Sequence, residues 1–448
     1  MVFVKNALDK IHHDNVDFPK ISQTFGKISE IVGTLVEAIL PNIPLGALVR
    51  MSTGCSEGIL GEVVGFRKEK SLIIPFSEPQ GLCAGALVEC VELKPTIKIS
   101  TNLIGKVINS YGYTLDGEKI DGEACPLYRE PLNPLLRKRI QKPLDLGVRS
   151  LNALLTCGEG QRLGIMAGSG VGKSVLMGMM ARFTNVDMNV IALIGERGRE
   201  VKEFIEDNLG EEGLKRSIVV VATGDQPALI RIRAAQAATT IAEYFRDKGK
   251  RVLLMMDSLT RVAMAQREIG LAVGEPPTTR GYTPSVFSLL PRLLERAGNF
   301  ESLTGSLTGI YTVLVDGDDF NEPICDAARS ILDGHIQLSR DMAHRNLFPA
   351  VDVLSSVSRV MQDIVHPHQW QMGGVLREWM SLYRRYEDMI TIGAYQRGSQ
   401  PKLDEAINQQ EKIQEFLRQP MHQKVTLEES YQSLMELISQ GQNHEKIM

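Results

Sequence analysis

The sequence predicts an α/β protein with three parts: a small N-terminal β-barrel, a core built on a mostly parallel β-sheet, and a C-terminal helical domain. Short β-like runs divided by turn residues precede residue 92, apolar runs alternate with helical stretches in the middle, and the pattern becomes helical from about residue 366. Buried apolar strands that alternate with helices favour a parallel sheet covered on both faces. We therefore expect a partner-binding segment over 1–25, a barrel over 26–92, a core over 93–365 and a helical domain over 366–448.

The barrel is predicted from short, regularly spaced runs that turn residues divide. These runs are Ile28 to Val36, Leu45 to Met51, Glu62 to Phe66, Ser71 to Pro75 and Ala86 to Leu93. Ahead of them, residues 2–11 carry apolar side chains at helical spacing, which fits either a short docking helix or a frayed terminus.

The sheet of the core is predicted from apolar runs separated by helical stretches such as 227–248. The runs are Leu163 to Met166, Val190 to Ile194, Ile218 to Ala222, Val252 to Met256 and Ile310 to Val315. Sheets of this kind bind ligands beyond the carboxyl ends of their strands, so we look for the functional residues there. Helical stretches at 370–388, 401–419 and 427–439 make up the predicted C-terminal domain.

Composition argues against several classes of protein. A net charge of −4 and a pI of about 6.1 give no support for binding to nucleic acid. The six cysteines are scattered without a Cys-x-x-Cys pair, which favours free thiols over a disulfide framework or a zinc site. No apolar run reaches the roughly 18 residues needed to span a bilayer, and Lys5, Asp9 and Lys10 interrupt any signal-peptide core. We expect a soluble, cytoplasmic protein.

The most specific motif reads Ala-Gly-Ser-Gly-Val-Gly-Lys-Ser and lies between a strand-like run and a helix-forming run, as a Walker A phosphate loop does. Its glycines let backbone N–H groups turn toward phosphate oxygens, and the N-terminus of the next helix adds partial positive charge. Lys173 can reach the β- and γ-phosphates, the Ser174 hydroxyl can ligate Mg²⁺, and Ala167 stands where a glycine is usual. The predicted nucleotide-binding residues are Ala167, Gly168, Ser169, Gly170, Val171, Gly172, Lys173, Ser174 and Val175.

Two carboxylates follow apolar strands of the predicted core. Asp257 ends the run from Val252, where a Walker-B acid would hold Mg²⁺ together with Ser174. Glu196 follows Ile194 after one glycine, so its carboxylate could orient and polarise an attacking water. The next residue, Arg197, fits either a phosphate contact or an ion pair.

A further segment, residues 348–359, reads as a loop, a turn and a polar stretch that ends in Arg359. Its composition alone predicts only a structural role.

Taken together, these motifs resemble the rotary ATPase family, which includes the F-type α/β subunits and Rho and has a RecA-like P-loop NTPase core. The motifs that carry the resemblance are residues 167–174, 195–200, 256–258 and 349–358. Residues 147–162 and 274–287 look like the type III secretion branch of that family. Within this branch the chain looks more like the flagellum-specific export ATPases than the virulence injectisome enzymes, on residues 264–268, 282–284 and 315–323.

The resemblance implies roles for residues that the pattern alone left open. Members form homohexameric rings with ATP at subunit boundaries, and Arg359 matches an arginine finger that reaches the phosphates of the neighbouring subunit. Phe348 matches an aromatic residue that stacks on adenine, and Met421 matches a second adenine contact that is aromatic in F-type subunits. Arg296 matches an arginine that is either structural or phosphate-sensing.

The partners that the resemblance implies rest on analogy. They are a coiled-coil stalk protein and export chaperone–substrate complexes at the C-terminal helices, and a dimeric regulator at segment 1–25 that tethers the enzyme to the membrane export gate. The implied cofactors are ATP and Mg²⁺, and the implied location is the cytoplasm, peripheral to the inner-membrane export apparatus.

Other interpretations remain open at this point. They are an injectisome ATPase, a catalytic subunit of an ATP synthase or proton pump, a non-catalytic nucleotide-binding subunit and a Rho-like translocase. The acid at Glu196 argues against the non-catalytic subunit, and the acidic net charge argues against the translocase.

Overall fold

The computed structural model describes residues 24–54 and 58–442 and divides the chain into two compact units, between Lys94 and Pro95. The predicted helix of residues 2–11 lies outside the described residues. No helix in the described part of the chain is both long enough and apolar enough to cross a membrane.

The first unit is the predicted barrel, closed by antiparallel strands in the order β1-β2-β5-β4-β3-β6. Its strands are β1 (Phe25–Val32), β2 (Leu35–Ile39), β3 (Leu48–Met51), β4 (Ile59–Arg67), β5 (Lys70–Pro75) and β6 (Leu87–Glu92). Alternate side chains such as Ile28, Val36 and Val49 point inward and are buried, as the period of two in a strand requires.

One predicted strand of the barrel is wrong. The run from Ile28 to Val36 is two strands, because Val32 pairs with Leu35 across a two-residue hairpin turn. Gly33 takes φ 60° in that turn, a left-handed conformation that glycine adopts without strain. The apolar run continues through the turn, which hid the turn from pattern reading.

The second unit is built on an eight-stranded sheet in the order β18-β17-β12-β16-β15-β13-β14-β8. Its pairs are parallel except for β18, which runs antiparallel to β17. The strands are β8 (Val107–Ile108), β12 (Arg162–Ala167), β13 (Met188–Ile194), β14 (Ser217–Ala222), β15 (Arg251–Asp257), β16 (Ser306–Leu314), β17 (Gly334–Gln337) and β18 (Val357–Ser358). Two small antiparallel pairs lie beside it: β7 (Thr96–Ile99) with β9 (Glu123–Pro126), and β10 (Pro143–Leu144) with β11 (Cys157–Gly158).

The five predicted core strands are confirmed as β12, β13, β14, β15 and β16. They are almost completely buried, as parallel strands covered on both faces must be. The prediction started β16 late, because its first residues, Ser306 to Gly309, are mostly polar or small. It missed β8, β17 and β18, which are two to four residues long and have no clear apolar pattern.

Helices cover the sheet and continue into the C-terminal region. They are α1 (Arg149–Leu154), α2 (Lys173–Phe183), α3 (Gly198–Glu203), α4 (Gly210–Lys215), α5 (Ala228–Asp247), α6 (Leu259–Val273), α7 (Pro284–Leu294), α8 (Pro323–Ile331), α9 (Arg340–His344), α10 (Met361–Ile364), α11 (Pro367–Thr391), α12 (Pro401–Leu417) and α13 (Leu427–Gln442). The last three match the predicted C-terminal helices. Leu376, Ile413 and Leu434 from these helices lie in the same buried cluster as Leu151 and Leu154 of α1, which fixes them against the core.

Candidate active site

The phosphate loop connects the carboxyl end of β12 to the first residue of α2. Gly170 and Gly172 have φ angles of 76° and 89°, so both lie in the left-handed region that a loop curling back on itself requires. Among the residues that the structure describes, no side chain caps the N-terminus of α2. Its first N–H groups are therefore directed at the loop, which is the arrangement that binds an anion.

Lys173, the first residue of α2, joins the two predicted carboxylates. Its Nζ lies 2.5 Å from Asp257 Oδ1 and 3.7 Å from Glu196 Oε1. The three side chains come from α2, the end of β15 and the residue beyond β13, and all are largely buried. Asp257 is 84 positions from Lys173 and 61 positions from Glu196 in the chain (257 − 173 and 257 − 196). The fold brings the three residues together at the carboxyl edge of the sheet, where the sequence predicted a site.

Asp257 is held by a residue that the sequence analysis missed. Thr312 of β16, the strand between β12 and β15, donates its hydroxyl to Asp257 Oδ1 over 2.7 Å. Thr312 is one of two threonines in β16, and no local signal in the sequence distinguishes it as a partner of Asp257. Only the strand order, which places β16 beside β15, reveals the contact.

The Glu196 carboxyl group is strongly perturbed by its surroundings. Burial and the nearby Asp257 charge raise the pKa of Glu196 to about 7, against the opposing effect of Lys173. Glu196 Oε1 is buried and has no hydrogen-bond partner among the described residues. A carboxyl group with a pKa near neutrality can accept a proton at physiological pH and release it again, as a general base must.

Glu200, on α3, is a second residue that the sequence analysis did not assign to the site. Its carboxyl group is hydrogen-bonded to that of Glu196, and this bond lowers the pKa of Glu200. Arg197 Nη1 lies 3.2 Å from Glu200 Oε1, and the Arg197 side chain is 83% exposed. The structure therefore shows Arg197 in an ion pair, while its contact with a phosphate remains a prediction.

The loop also has a neighbour that the sequence did not reveal. A methyl group at Gly168 would lie 2.6 Å from Asp318 Oδ1 and 2.8 Å from Arg340 Nη2, so a larger residue there would have to displace the ends of these two side chains. Asp318 and Arg340 form an ion pair with Nε 2.8 Å from Oδ2. Ser174 is exposed in the first turn of α2, next to Lys173.

Beside the loop lies a mostly apolar cavity of about 560 Å³. It is lined by Val175 of α2 together with Phe348 and Met421, which are 73 positions apart in the chain (421 − 348). The Phe348 ring lies 3.4 Å from the position of a methyl group at Gly172, so the ring packs directly on the phosphate loop. The cavity has the size and lining of a small-molecule pocket, next to the place where the phosphates would bind.

Arg359 lies at the opposite edge of the sheet. Its backbone N–H donates to the carbonyl of Asp333, whose side chain binds the backbone N–H of Arg162 at the start of β12. The phosphate loop follows the other end of that strand, and six residues at a strand rise of about 3.3 Å separate the two ends by about 17 Å. The Arg359 side chain is exposed, and its Nη2 donates to the Arg329 carbonyl over 3.1 Å.

The structure decides the open question at Arg296. Its side chain is fully buried and binds both carboxylate oxygens of Glu243, at 2.9 and 2.7 Å, as well as Gln236 and Thr240 of α5. These hydrogen bonds engage all three nitrogens of the guanidinium group inside the protein. Arg296 therefore has a structural role rather than a phosphate-sensing one.

Family models match three parts of the chain. Residues 28–92 match the ATP synthase alpha/beta family β-barrel domain, residues 147–358 match the nucleotide-binding domain of the same family, and residues 365–436 match the T3SS EscN ATPase C-terminal domain.

Individual relatives cover nearly the whole chain. The chain is 52% identical to the flagellum-specific ATP synthase of Bacillus subtilis over 95% of this chain and 97% of that protein. Among solved structures, the assembled ATPase EscN of the enteropathogenic E. coli type III secretion system superposes with a TM-score of 0.87 at 44% identity, over 92% of this chain and all of that one. The same ATPase in complex with its central stalk EscO gives a TM-score of 0.85 at 43% identity, with the same coverage.

Motifs, fold and near full-length identity agree, and the chain belongs to the flagellum-specific (type III protein export) ATPases of the ATP synthase alpha/beta family.

Proposed function

We propose that this ATPase hydrolyses ATP with Mg²⁺ at sites shared between the subunits of a homohexameric ring, and that hydrolysis energises the export of flagellar proteins. The observation that carries the proposal is the cluster of Lys173, Asp257 and Glu196 at the phosphate loop, with Lys173 within 3.7 Å of both acids. This cluster supplies the charges that phosphoryl transfer to water requires.

In this proposal each residue of the cluster has a separate task. Lys173 binds the β- and γ-phosphates together with the N–H groups of the loop, and Glu196 orients the attacking water and accepts its proton. The burial that raises the pKa of Glu196 also strengthens its interaction with a proton-donating water.

The residues present also fit a magnesium ion. Mg²⁺ prefers oxygen ligands and is usually held by one or two protein groups together with phosphates and water. Ser174 and Asp257 provide a hydroxyl and a carboxylate on adjoining elements, and Thr312 orients the carboxylate. When bound, the ion would neutralise charge on the β- and γ-phosphates.

The nucleotide base would occupy the cavity lined by Phe348 and Met421. The exposed Phe348 ring, next to the phosphate loop, can stack on adenine, and the Met421 side chain can pack against another part of the adenine ring.

Assembly is part of the proposal because Arg359 lies at the opposite edge of the sheet from the chain's own phosphate loop. About 17 Å separates the two ends of β12, which is more than an arginine side chain spans. An exposed arginine there can serve the site of a second chain, and a ring of identical interfaces gives every site one such residue. The assembled state of EscN, the relative described above, supports this arrangement.

The proposed partners follow from the relatives. The complex of EscN with its central stalk EscO supports a stalk protein as a partner of this chain. A dimeric regulator at segment 1–25, chaperone–substrate complexes at the C-terminal helices and peripheral contact with the membrane export gate are proposed on family resemblance alone.

The test is the ATPase rate per subunit, measured against protein concentration for the wild type and for Glu196→Gln. Because the proposed sites form between subunits, specific activity should rise steeply with concentration, and Glu196→Gln should remove turnover while ATP binding is retained. A matched control is Glu206→Gln, at an acid on the surface near α3 that is 61% exposed. A flat rate that does not depend on Glu196 would overturn both the shared site and the assignment of the base.

A further inference from the structure

One segment of the chain connects the two edges of the sheet that the proposed function uses. Residues 345–359, the connecting segment, carry Phe348 at the nucleotide end and Arg359 at the other. The segment runs antiparallel to β17: Val351 bridges to Leu338, and Val357 pairs with His335. Whatever holds its middle therefore influences the pocket at one end and the arginine at the other.

Asp352 organises the middle of this segment. The carboxylate is buried and accepts hydrogen bonds from the N–H groups of Leu354 and Ser355, at 3.1 and 3.2 Å, and from the Ser355 hydroxyl at 2.9 Å. These bonds close the turn that leads into β18 and Arg359. The same carboxylate accepts a further bond from outside the segment, because Arg384 Nη2 of α11 lies 2.9 Å from Asp352 Oδ1.

A second ion pair joins the same helix to the start of the segment. Glu387 Oε1 of α11 lies 2.6 Å from Arg345 Nη1, three positions before Phe348. Arg345 also pairs with Asp341 of α9, at 3.1 Å. Arg384 and Glu387 are three positions apart in α11 and so share one face of the helix. Helix α11 thus forms ion pairs with the segment on both sides of Phe348-Pro349-Ala350, through the negative charge of Glu387 on one side and the positive charge of Arg384 on the other.

Packing beneath these ion pairs is incomplete. A cavity of about 130 Å³ lies between the segment and helices α11 and α12. Its lining includes Leu347, Leu354 and Ile413 together with four charged residues: Asp341, Arg345, Arg384 and Glu387. Where side chains leave a gap, dispersion contacts across it are weak. Around this cavity, the two ion pairs are the charged contacts between α11 and the connecting segment within the described part of the chain.

We infer that Arg384 and Glu387 are positioning residues for ATP turnover. Through them, helix α11 of the C-terminal region fixes the positions of Phe348 in the nucleotide pocket and of Arg359. Glu387 acts on the end that carries Phe348, so it governs the affinity for ATP. Arg384 acts through Asp352 on the turn that precedes Arg359, so it governs the rate at which bound ATP is hydrolysed (kcat). The inference rests on the proposed roles of Phe348 and Arg359.

The experiment compares Arg384→Gln and Glu387→Gln in the full-length chain, each with a neighbouring control on the same helix. Arg385→Gln and Asp388→Asn are matched controls, since both residues are exposed and neither side chain makes an ion pair or hydrogen bond within the described part of the chain. Steady-state ATPase rates are measured at a protein concentration where specific activity no longer rises. Arg384→Gln should lower kcat about threefold to tenfold with KM for ATP nearly unchanged, and Glu387→Gln should raise KM about threefold, as expected for half-exposed ion pairs.

A purely structural role is separated by rescue and by folding. Arg384→Lys keeps the charge and should restore most of kcat, and all variants should keep the wild-type far-UV circular dichroism and sedimentation profile. The inference is wrong if the two variants match their controls in both kcat and KM. It is also wrong if their losses only parallel a loss of folded or assembled protein. Glu196→Gln in the same assay tests the proposed function separately, because turnover that survives this change would refute the proposed base whatever the Arg384 variants do.

Discussion

The two edges of the central sheet carry the proposed functional residues in opposite environments. At the carboxyl edge, Lys173, Asp257 and Glu196 are largely buried and lie within 4 Å of one another or of a shared partner. At the other edge, Arg359 is exposed and contacts only the carbonyl of Arg329 through its guanidinium group among the described residues. The residues of one edge contact one another within a single chain, and the other edge presents its arginine outward.

This difference indicates how the enzyme can make hydrolysis depend on assembly. Buried charges are held by one another, so the phosphate site keeps its geometry in every copy of the chain. In the proposed ring, the exposed arginine costs nothing in desolvation until the site of a neighbouring subunit surrounds it, where its charge would be worth more. Substitutions that alter one edge at a time can therefore separate the two contributions.

The largest effect is expected from Lys173→Ala at the carboxyl edge. The phosphates lose the cation of the loop, and two buried carboxylates lose their shared partner, so ATP affinity should fall at least about a hundredfold and turnover should become undetectable. Nucleotide binding by fluorescence or calorimetry checks the first effect. Lys202→Ala, at a lysine that is 72% exposed, is the control and should bind ATP normally. Unchanged affinity in Lys173→Ala would refute the phosphate site.

The next largest effect is expected from Arg359→Ala at the other edge. Arginine fingers contribute about 10³-fold or more to turnover, so homogeneous rings of this variant should be nearly inactive although they still bind ATP. The loss should be shared between chains. In random mixtures with Glu196→Gln subunits, an intact site forms wherever an Arg359→Ala chain supplies Glu196 and its neighbour supplies Arg359.

That mixing experiment has a quantitative limit. At equal amounts, about a quarter of the interfaces in a ring of identical contacts are intact, so activity should return toward that fraction of the wild type. Rings assembled from only one of the two variants are the control and should stay inactive. If no mixing ratio restores turnover, Arg359 does not complete a neighbouring site.

The carboxyl edge was largely predictable from sequence because its signals are local. An apolar run followed by glycines and Lys-Ser identifies the phosphate loop, and Glu196 and Asp257 follow apolar runs of the same kind. Thr312, Glu200 and the Asp318–Arg340 pair were not predicted, since their contacts depend on strand order and on loop conformation. The role of Arg359 could be drawn only from family resemblance, because the environment of an exposed residue in an assembly is not encoded in its neighbours along the chain.

A third prediction concerns the stability of the carboxyl edge. The folded state raises the pKa of Glu196 from 4.5 to about 7, so between these values the folded chain keeps a proton that the unfolded chain has lost. The free energy of unfolding therefore falls as pH rises through this window, and the full cost, about 3 kcal/mol at most, is present above pH 7. Glu196→Gln removes the titration and should be more stable than the wild type by roughly 1–3 kcal/mol at pH 8, with the difference shrinking toward pH 5.

Urea unfolding of the nucleotide-free protein at several pH values measures this difference. Glu206→Gln, at the exposed acid used above, is the control and should follow the wild-type pH dependence. A Glu196→Gln variant that is less stable than the wild type at pH 8 would mean that Glu196 is held ionised by Lys173 in spite of its burial.

The smallest effect is expected at the base cavity, where an exposed ring and a flexible thioether face each other. Phe348→Ala removes the stacking surface next to Gly172 and should raise KM for ATP about tenfold, because a base stacked on an aromatic ring is worth about 1–3 kcal/mol. Met421→Ala should raise KM only about twofold to threefold, while Met421→Phe should lower it, since a second ring restores two-sided stacking. The variants should leave kcat nearly unchanged, because the Phe348 ring contacts the loop at Gly172 and neither side chain contacts Lys173, Glu196 or Asp257 within the described part of the chain. A comparable fall in kcat for Phe348→Ala would show instead that the two edges of the sheet are coupled through residues 345–359, and would move Phe348 from base recognition to the positioning of Arg359.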